Sequence, residues 1–445
     1  MSTTTHTAMS TPTHTAAKTV LISGASVAGP ALALWLHRYG FTPTVVERAP
    51  ELRTGGYKVD IRGTSVEICR RMGILDEIRA HSTDMRGGSY VDDQGRTIGE
   101  LPADIFGGRV DGDDEIMRGE LARILHERTR DDVEYLFGDS IATLAEDAED
   151  GGGVTVTFES GTVRRFDLVV GADGLHSRTR QLVFGPEEHY KRHLGAYISI
   201  FTAPNHLGLD RWETYHALPG KLVCAYSSAG ETDAKNLFIF SSPELPYHHR
   251  DITTQKRLLT EAFTGDRWEI PRLLGHAADA DDLYFDSISL IEMDRWSKGR
   301  VVLLGDAAHC ASPASGQGTG LALTGAYVLA GELARAGGDH TVAFARYEAH
   351  MRPGVERNQK LAEGFVKEMT VGSKWKIKLR MLMVRTLPKT PWKNLIAKKI
   401  RDEIQAAANA VPLVDYAAPR ADGAAPGTPG THGGVRTPAR PTVTA

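Results

Sequence analysis

Apolar positions along this chain first follow a strand–helix–strand rhythm and later change character. From Lys18, TVLISG is an unbroken apolar run ending in glycine. SVAGPALALWLHRYG follows with apolar positions at helical spacing and stops at Gly40, and PTVVERA is a second buried run reaching Glu47. Unbroken runs of this length suit strands covered on both faces, so the unit predicts a parallel βαβ arrangement. Residues 57–62 predict a short strand after the Gly55-Gly56 break, and Thr64–Met72 a helix capped by Thr64 or Ser65. GELARILHER, opening just after Arg118, predicts a helix with Leu121, Ile124 and Leu125 on its apolar face. Val154–Phe158 and residues 162–166 read as a hairpin turning at Ser160-Gly161, and residues 168–170 as a further buried strand.

Between residues 195 and 271 the pattern turns to strands separated by Pro, Gly and Asn: AYISIFTA, RWETYHAL, KLVCAYSS and KNLFIFSS. This predicts a mostly antiparallel sheet. Its aromatics are Tyr197, Phe201, Trp212, Tyr215, Tyr226, Phe238 and Phe240. Period-two alternation lets one face of the sheet line an apolar pocket, or the same residues serve as core. A helical connection over 254–280 leads to a strand, SISLIEM, and then to the apolar run 301–304. Gly305-Asp306 breaks that run, small residues and Pro313 follow, and a long helical pattern begins near Thr319. Helices continue from His340.

The pattern as a whole is α/β: a Rossmann-like nucleotide domain with an inserted, mostly antiparallel β-sheet domain and C-terminal helices. The expected division is a disordered leader 1–17, a nucleotide domain 18–194 with minor sheet-lobe segments near 84–110, and the inserted domain 195–280. The nucleotide domain resumes over 281–365, followed by basic helices 366–416 and a disordered Pro/Gly/Ala/Thr tail 417–445.

Composition narrows the function classes. With 52 basic and 56 acidic residues the net charge is −4, which implies no nucleic-acid partner. No apolar run approaches the roughly 20 residues of a membrane span. The N-terminus lacks the charged and apolar regions of a secretory signal. Three widely spaced cysteines, Cys69, Cys224 and Cys310, offer neither zinc spacing nor a disulfide framework, so a reducing, cytoplasmic location without a metal site is expected. Residues 370–401 are basic and lack any acid. They suit a solvated helix pair capping the substrate lobe, or a contact for anionic lipid or a partner.

Three motifs carry the candidate chemistry. Gly24-Ala-Ser26-Val-Ala-Gly29 is a dinucleotide fingerprint with serine at its middle glycine, placed after a strand and before a helix. Glu47 ends the next strand, where an acid can accept hydrogen bonds from an adenosine ribose. Gly171-Ala-Asp173-Gly174 ends a second buried strand. GDAAHCASPASGQG, residues 305–318, joins a third strand to a helix whose first turn offers free N–H groups and positive potential. Arg118 stands at a helix start, where its sign is wrong for the helix dipole. A bound anion explains it, as does pairing with Glu115 or Glu120.

In order and wording these motifs resemble the flavoprotein monooxygenases of the para-hydroxybenzoate hydroxylase type, and within them the polyketide-tailoring and tetracycline-modifying members, over roughly residues 18–365. The resemblance implies a glutathione-reductase-type FAD domain, with FAD as cofactor and NADPH or NADH as co-substrate. It places Gly24, Ser26 and Gly29 at the FAD pyrophosphate and Glu47 at the ribose, and Arg53 and Arg118 on the flavin side, with Arg48 as a further cofactor contact. It links Asp173 and Gly174 to FAD and nicotinamide binding and Asp306 to the ribityl chain. It sets Gly316, Gly318, Thr319 and Gly320 under the pyrimidine end of the flavin ring, and Pro313 beside the site of oxygen reaction. The implied activity is hydroxylation of an aromatic or polyketide-type small molecule through a flavin C4a-hydroperoxide, in secondary metabolism such as antibiotic biosynthesis, by a monomer or homodimer. Baeyer–Villiger insertion or epoxidation on the same scaffold, and a flavin-binding tailoring protein without monooxygenase turnover, are the alternatives. The polar substrate ligands of the tetracycline-modifying members find no match in the aromatic strands, which argues against tetracycline. His216, Tyr215 and Tyr226 are candidate acid–base groups by their chemistry alone. His309 and Cys310 are expected to brace the loop.

Overall fold

The computed structural model describes residues 18–53, 55–103, 110–147, 152–386, 390–391 and 393–416. The expected leader and tail lie outside the described residues, as do Lys389 and Trp392 of the basic segment. The apolar runs at the start of the chain pair in parallel, as burial on both faces requires. Thr19–Ser23 lies between Thr42–Glu47 and Leu168–Gly171. Glu134–Phe137 and Val301–Leu303 extend the sheet on either side, and Ser297–Lys298 closes one edge antiparallel. On one face the helices Ala28–Arg38 and Gly318–Arg335 pack together, with the Trp35 ring edge-on to Tyr327 at 4.9 Å. On the other, Val154, Val156 and Phe158 of a three-stranded antiparallel sheet meet Leu21, Val46 and Val169.

The second large sheet has seven strands in the order Tyr284–Ile291, Lys191–Pro204, Asp233–Ser241, Lys221–Ser227, Trp212–Leu218, Gly87–Val91 and Thr97–Pro102. All neighbours are antiparallel except Trp212–Leu218 with Gly87–Val91. The sheet crosses the expected 194/195 and 280/281 boundaries because Lys191–Pro204 fills its two edges with Asp233–Ser241 and Tyr284–Ile291. Alternation divides its side chains cleanly. Tyr197, Phe201, Phe238 and Phe240 pack with Leu259, Phe263 and Leu273 of the helices Ile252–Phe263 and Ile270–Asp279. Ile198, Ile200, Leu222 and Ile239 face the opposite way, toward the nucleotide domain. The phenylalanine-rich face is therefore helix-covered core, and the aliphatic face meets the site.

The helix His340–Met369 contains Pro353. An interior proline costs a helix about 3 kcal/mol, and burial of Tyr347, Met351 and Val355 around it offsets that cost. Lys374–Thr386 then packs on the edge strand Thr97–Pro102, where a Cβ at Gly99 would lie 3.0 Å from Val384 Cγ1. Lys393–Ala408 returns to the nucleotide domain: Asn358 Nδ2 donates to Ala407 O at 3.1 Å. No helix among the described residues is long and apolar enough to cross a membrane.

Candidate active site

The first motif forms a turn too tight for side chains at its two glycines. Gly24 sits at φ 111°, and a Cβ there would lie 2.5 Å from Ala172 O. At Gly29 a Cβ would lie 1.9 Å from Gly24 O. The turn is thus held against the Gly171–Gly174 segment, with Ser26 exposed at its tip. The helix that follows starts with neither a side-chain cap nor an acid in its first turn. Its N–H groups and positive end are left to a ligand. Glu47 accepts one backbone N–H on each oxygen, from Ala25 and from Ala49, both at 2.9 Å. A carboxylate oxygen accepts more than one bond, so both remain able to receive ribose hydroxyls. Arg53 Nη2 lies 3.5 Å from Glu47 Oε1 at the exposed rim. Arg48 is exposed beside it, its pKa lowered by partial burial and then by the charges of Arg250 and Arg53.

Arg118 opens the helix Arg118–Glu127 and is tied by its own N–H to Tyr57 O at 3.0 Å. Its guanidinium lies 5.9 Å from the Tyr57 ring centroid, and Nη1 is 3.4 Å from Ser26 Oγ. Arg118 Nε is buried with no hydrogen-bond partner among the described residues. Lys58 holds Glu115 at 3.0 Å and Arg123 holds Glu120 at 2.6 Å, so these two acids already have cationic partners.

The third motif leaves Val301–Leu303 through Gly305 at φ 62°. Asp306 is reachable by water yet walled by protein, as a side chain lining a deep recess is. That enclosure raises its pKa, against a Cys310 hydrogen bond and the Arg118 charge, which lower it. Beyond it Ser312 adopts φ 67°, a conformation that costs a non-glycine residue roughly 1–3 kcal/mol. Its hydroxyl accepts from Ala314 N at 3.2 Å and its carbonyl from Ser315 Oγ at 2.9 Å, which fixes Pro313 between them. Gly316 then turns at φ 64° into the helix Gly318–Arg335. This helix also begins without a side-chain cap or first-turn acid. By contrast, Asp251 and Asp339 cap the helices Ile252–Phe263 and His340–Met369. A Cβ at Gly318 would lie 3.8 Å from Asp306 Oδ1, so the open helix start and the acid face one recess.

Asp173 is engaged within its own turn. One oxygen takes the Ser177 hydroxyl, and the other takes Thr179 N and Thr179 Oγ1, both at 2.9 Å. The carboxylate thus orders the start of the helix Arg178–Phe184, beside Gly174 at φ 80°. Arg180, wholly buried, carries this order to the third motif by donating to Ala307 O at 3.0 Å, Leu175 O at 2.6 Å and Glu187 Oε2 at 2.7 Å. His309 packs against Trp296 and Tyr347, and burial lowers its pKa to about 4, so it is a neutral brace. The Cys310 thiol, raised far above its usual pKa by burial, is likewise structural.

The recess opens onto the aliphatic face of the seven-stranded sheet. Ala314, next to Pro313, packs in one cluster with Ile198, Ile200, Leu222 and Ile239, and Tyr57, Tyr215 and Tyr284 border it. Of the three acid–base candidates, Tyr215 and Tyr226 lie on this side of the sheet and His216 does not. Tyr215 stacks on Tyr90 at 5.4 Å and donates to Glu213. The Tyr226 hydroxyl accepts from Lys58 N at 3.2 Å. His216, one residue on from Tyr215, points to the opposite face, with Nδ1 3.2 Å from Val91 O and its ring 5.4 Å from Trp268. Alternation removes it from the pocket.

Several groups are left over by the protein itself: two uncapped helix starts, Arg118 Nε, spare capacity on Glu47 and the recessed Asp306. Arg118 stands between the first turn, through Ser26, and Asp306, whose pKa its charge lowers, an order that fits a dinucleotide with a ring at its far end. Residues 17–208 and 287–358 match the family described as FAD binding domain. An uncharacterized Mycobacterium tuberculosis protein is 47% identical over 344 residues, 77% of this chain and 92% of its own length. A flavin-dependent monooxygenase of Legionella longbeachae is 42% identical over 341 residues, covering 77% and 87%. The crystal structure of tetracycline destructase Tet(55) superposes with a TM-score of 0.77 at 38% identity, over 90% of this chain and all of that one. The chain belongs to the FAD binding domain family, as a flavin-dependent monooxygenase of the para-hydroxybenzoate hydroxylase type.

Proposed function

We propose that this monooxygenase uses NADPH or NADH and dioxygen to hydroxylate an aromatic or polyketide-type small molecule. FAD, once bound and reduced by the nicotinamide, supplies with dioxygen the electrophilic oxygen atom. The turn Gly24–Gly29, with Ser26 at its tip, and the open start of Ala28–Arg38 would hold the pyrophosphate, and Glu47 the adenosine ribose. Arg118 would face the flavin side, with Arg48 and Arg53 at the rim, and Asp306 would take the ribityl hydroxyls. Gly316, Gly318, Thr319 and Gly320 would line the ring, where the helix N–H groups stabilise negative charge on it.

The observation that carries this reading is the packing of Ala314, next to Pro313, on the aliphatic wall of the sheet. A flat apolar ring lying on that wall would meet the loop where oxygen reacts, with water displaced from both. Burial holds the Tyr215 and Tyr226 hydroxyls protonated well above neutral pH, so they serve as hydrogen-bonding groups rather than as bases. Tyr215 donates a hydrogen bond to Glu213, which Lys58 holds in turn.

The test is nicotinamide oxidation by the FAD-loaded protein in air, with and without a panel of phenols, polycyclic aromatics and a tetracycline. The tetracycline is included because of the destructase relatives. Substrate-dependent oxidation with a product heavier by one oxygen atom is expected, and product NMR separates ring hydroxylation from insertion beside a ketone. A yellow protein that no panel member stimulates would overturn the reading.

A further inference from the structure

The helix Lys374–Thr386 carries a feature that flavin chemistry does not use. Trp375, Leu379, Leu382 and Met383 are 69%, 42%, 52% and 51% exposed. At about 3.6 residues per turn they fall within roughly 100° of one another on the helix surface. The residues that pack onto the protein, chiefly Val384 with the half-buried Ile377 and Met381, lie on the other side. The exposed stripe therefore looks outward and is not the helix's core-facing side turned slightly to solvent.

Cations flank the stripe: Lys376 and Arg380 on one side, Lys374, Lys378 and Arg385 on the other. Arg380 pairs with Glu368 at 2.6 Å. Among the described residues no carboxylate lies within ion-pairing distance of Lys374, Lys376, Lys378 or Arg385. Residues 370–401 contain no acid at all.

We propose that this helix is a docking surface for an anionic phospholipid bilayer. An outward Trp/Leu/Met stripe bordered by lysines and arginines on both sides is the composition that settles an amphipathic helix at a headgroup boundary, with the apolar groups inserted and the cations at the phosphates. The charge decides between occupants. A second copy of this chain would bring the same basic flanks against each other, whereas anionic lipid neutralises them. Because the helix packs on Thr97–Pro102, docking would bring the edge of the substrate sheet to the membrane surface. The proposal stands independently of the monooxygenase reading.

The test is co-sedimentation of the full-length, FAD-loaded protein with vesicles of phosphatidylcholine alone or mixed with phosphatidylglycerol. Binding to the mixed vesicles at low salt is expected, weakening at high salt and absent from the neutral vesicles. Lys374→Glu/Lys376→Glu/Lys378→Glu is expected to weaken binding far more than tenfold, since each basic residue near an anionic surface contributes a factor of about five. Trp375→Ser/Leu382→Ser is expected to weaken it at least tenfold with every charge retained. These positions are exposed, so FAD content and circular dichroism should match the parent protein. Failure of the parent to bind anionic vesicles overturns the proposal. So does full binding by the serine variant, or a concentration-dependent dimer that the serine variant abolishes while vesicles are ignored.

Discussion

His176 offers the sharpest test of how the motifs are coupled to the substrate sheet. It follows the Gly171–Gly174 turn, and its ring is held by Glu187 Oε1 on one nitrogen and Asp286 Oδ2 on the other, both at 2.9 Å. Asp286 belongs to the strand Tyr284–Ile291 of the substrate sheet. His249 stacks on the ring at 4.1 Å, and burial with neighbouring cations lowers the His249 pKa to about 4, which leaves it neutral. Burial alone would lower the His176 pKa, but the bonds and charges of Asp286 and Glu187 outweigh it and raise the pKa to about 9. Against an unfolded value near 6.5 this amounts to about 3 kcal/mol, at about 1.36 kcal/mol per pH unit. A raised pKa means the contribution is complete below pH 6.5 and is lost as pH climbs through 9. Asp286 and Glu187 have lowered pKa values despite their burial, so their contribution is lost on the acid side instead. His176→Gln should therefore cost about 3 kcal/mol at pH 6.5, and most of that difference should vanish by pH 9.5. Urea unfolding of both proteins at saturating FAD across this range measures it, with ligand stabilisation held fixed. A gap of equal size at both pH values would refute the reasoning.

Asp306→Ala removes a recessed carboxylate, and hydrogen bonds to charged groups contribute about 1.5–3 kcal/mol. FAD affinity, titrated by flavin fluorescence on the apoprotein, should fall roughly 10- to 100-fold. Gly29→Ala forces a Cβ to within 1.9 Å of Gly24 O, so the variant should purify without yellow colour, and near-parental FAD content would contradict the turn geometry. All three cysteines are buried and unpaired, and burial raises their thiol pKa values. An aromatic disulfide reagent should react with none of them in the native protein and with all three in urea.

The three motifs were legible because each is dictated by sterics that leave one solution. No residue but glycine fits at Gly24 or Gly29, and an acid after an apolar run at Glu47 or Asp306 has a ligand-facing strand end as its natural place. Residues that act through distant partners were not legible in this way. Arg180 follows the Gly171–Gly174 turn with no pattern to single it out, yet it is wholly buried and bonds Ala307, 127 positions away. Period two placed Tyr197, Phe201, Phe238 and Phe240 on one face, but nothing local says which face the helices 252–279 will cover. The aromatic face became core, and the pocket fell to Ile198, Ile200, Leu222 and Ile239. The same ambiguity separates Tyr215 from His216. Gly87–Val91 joins the sheet from the segment expected near 84–110, whereas Tyr284–Ile291 joins it from beyond the expected 280 limit, because strand pairing is a tertiary choice. Tyr57, which shares the recess with Arg118, had only the preceding Gly55-Gly56 break to mark it.

The central claim is that the recess between Asp306 and Pro313 activates dioxygen for insertion into a molecule lying on the aliphatic wall. Turnover under isotopically heavy dioxygen in ordinary water, followed by mass spectrometry of the product, tests it most directly. The account requires one heavy oxygen atom in the product for each nicotinamide oxidised in coupled turnover. A product whose new oxygen comes from water, or nicotinamide oxidation that yields only hydrogen peroxide with every substrate offered, would contradict it.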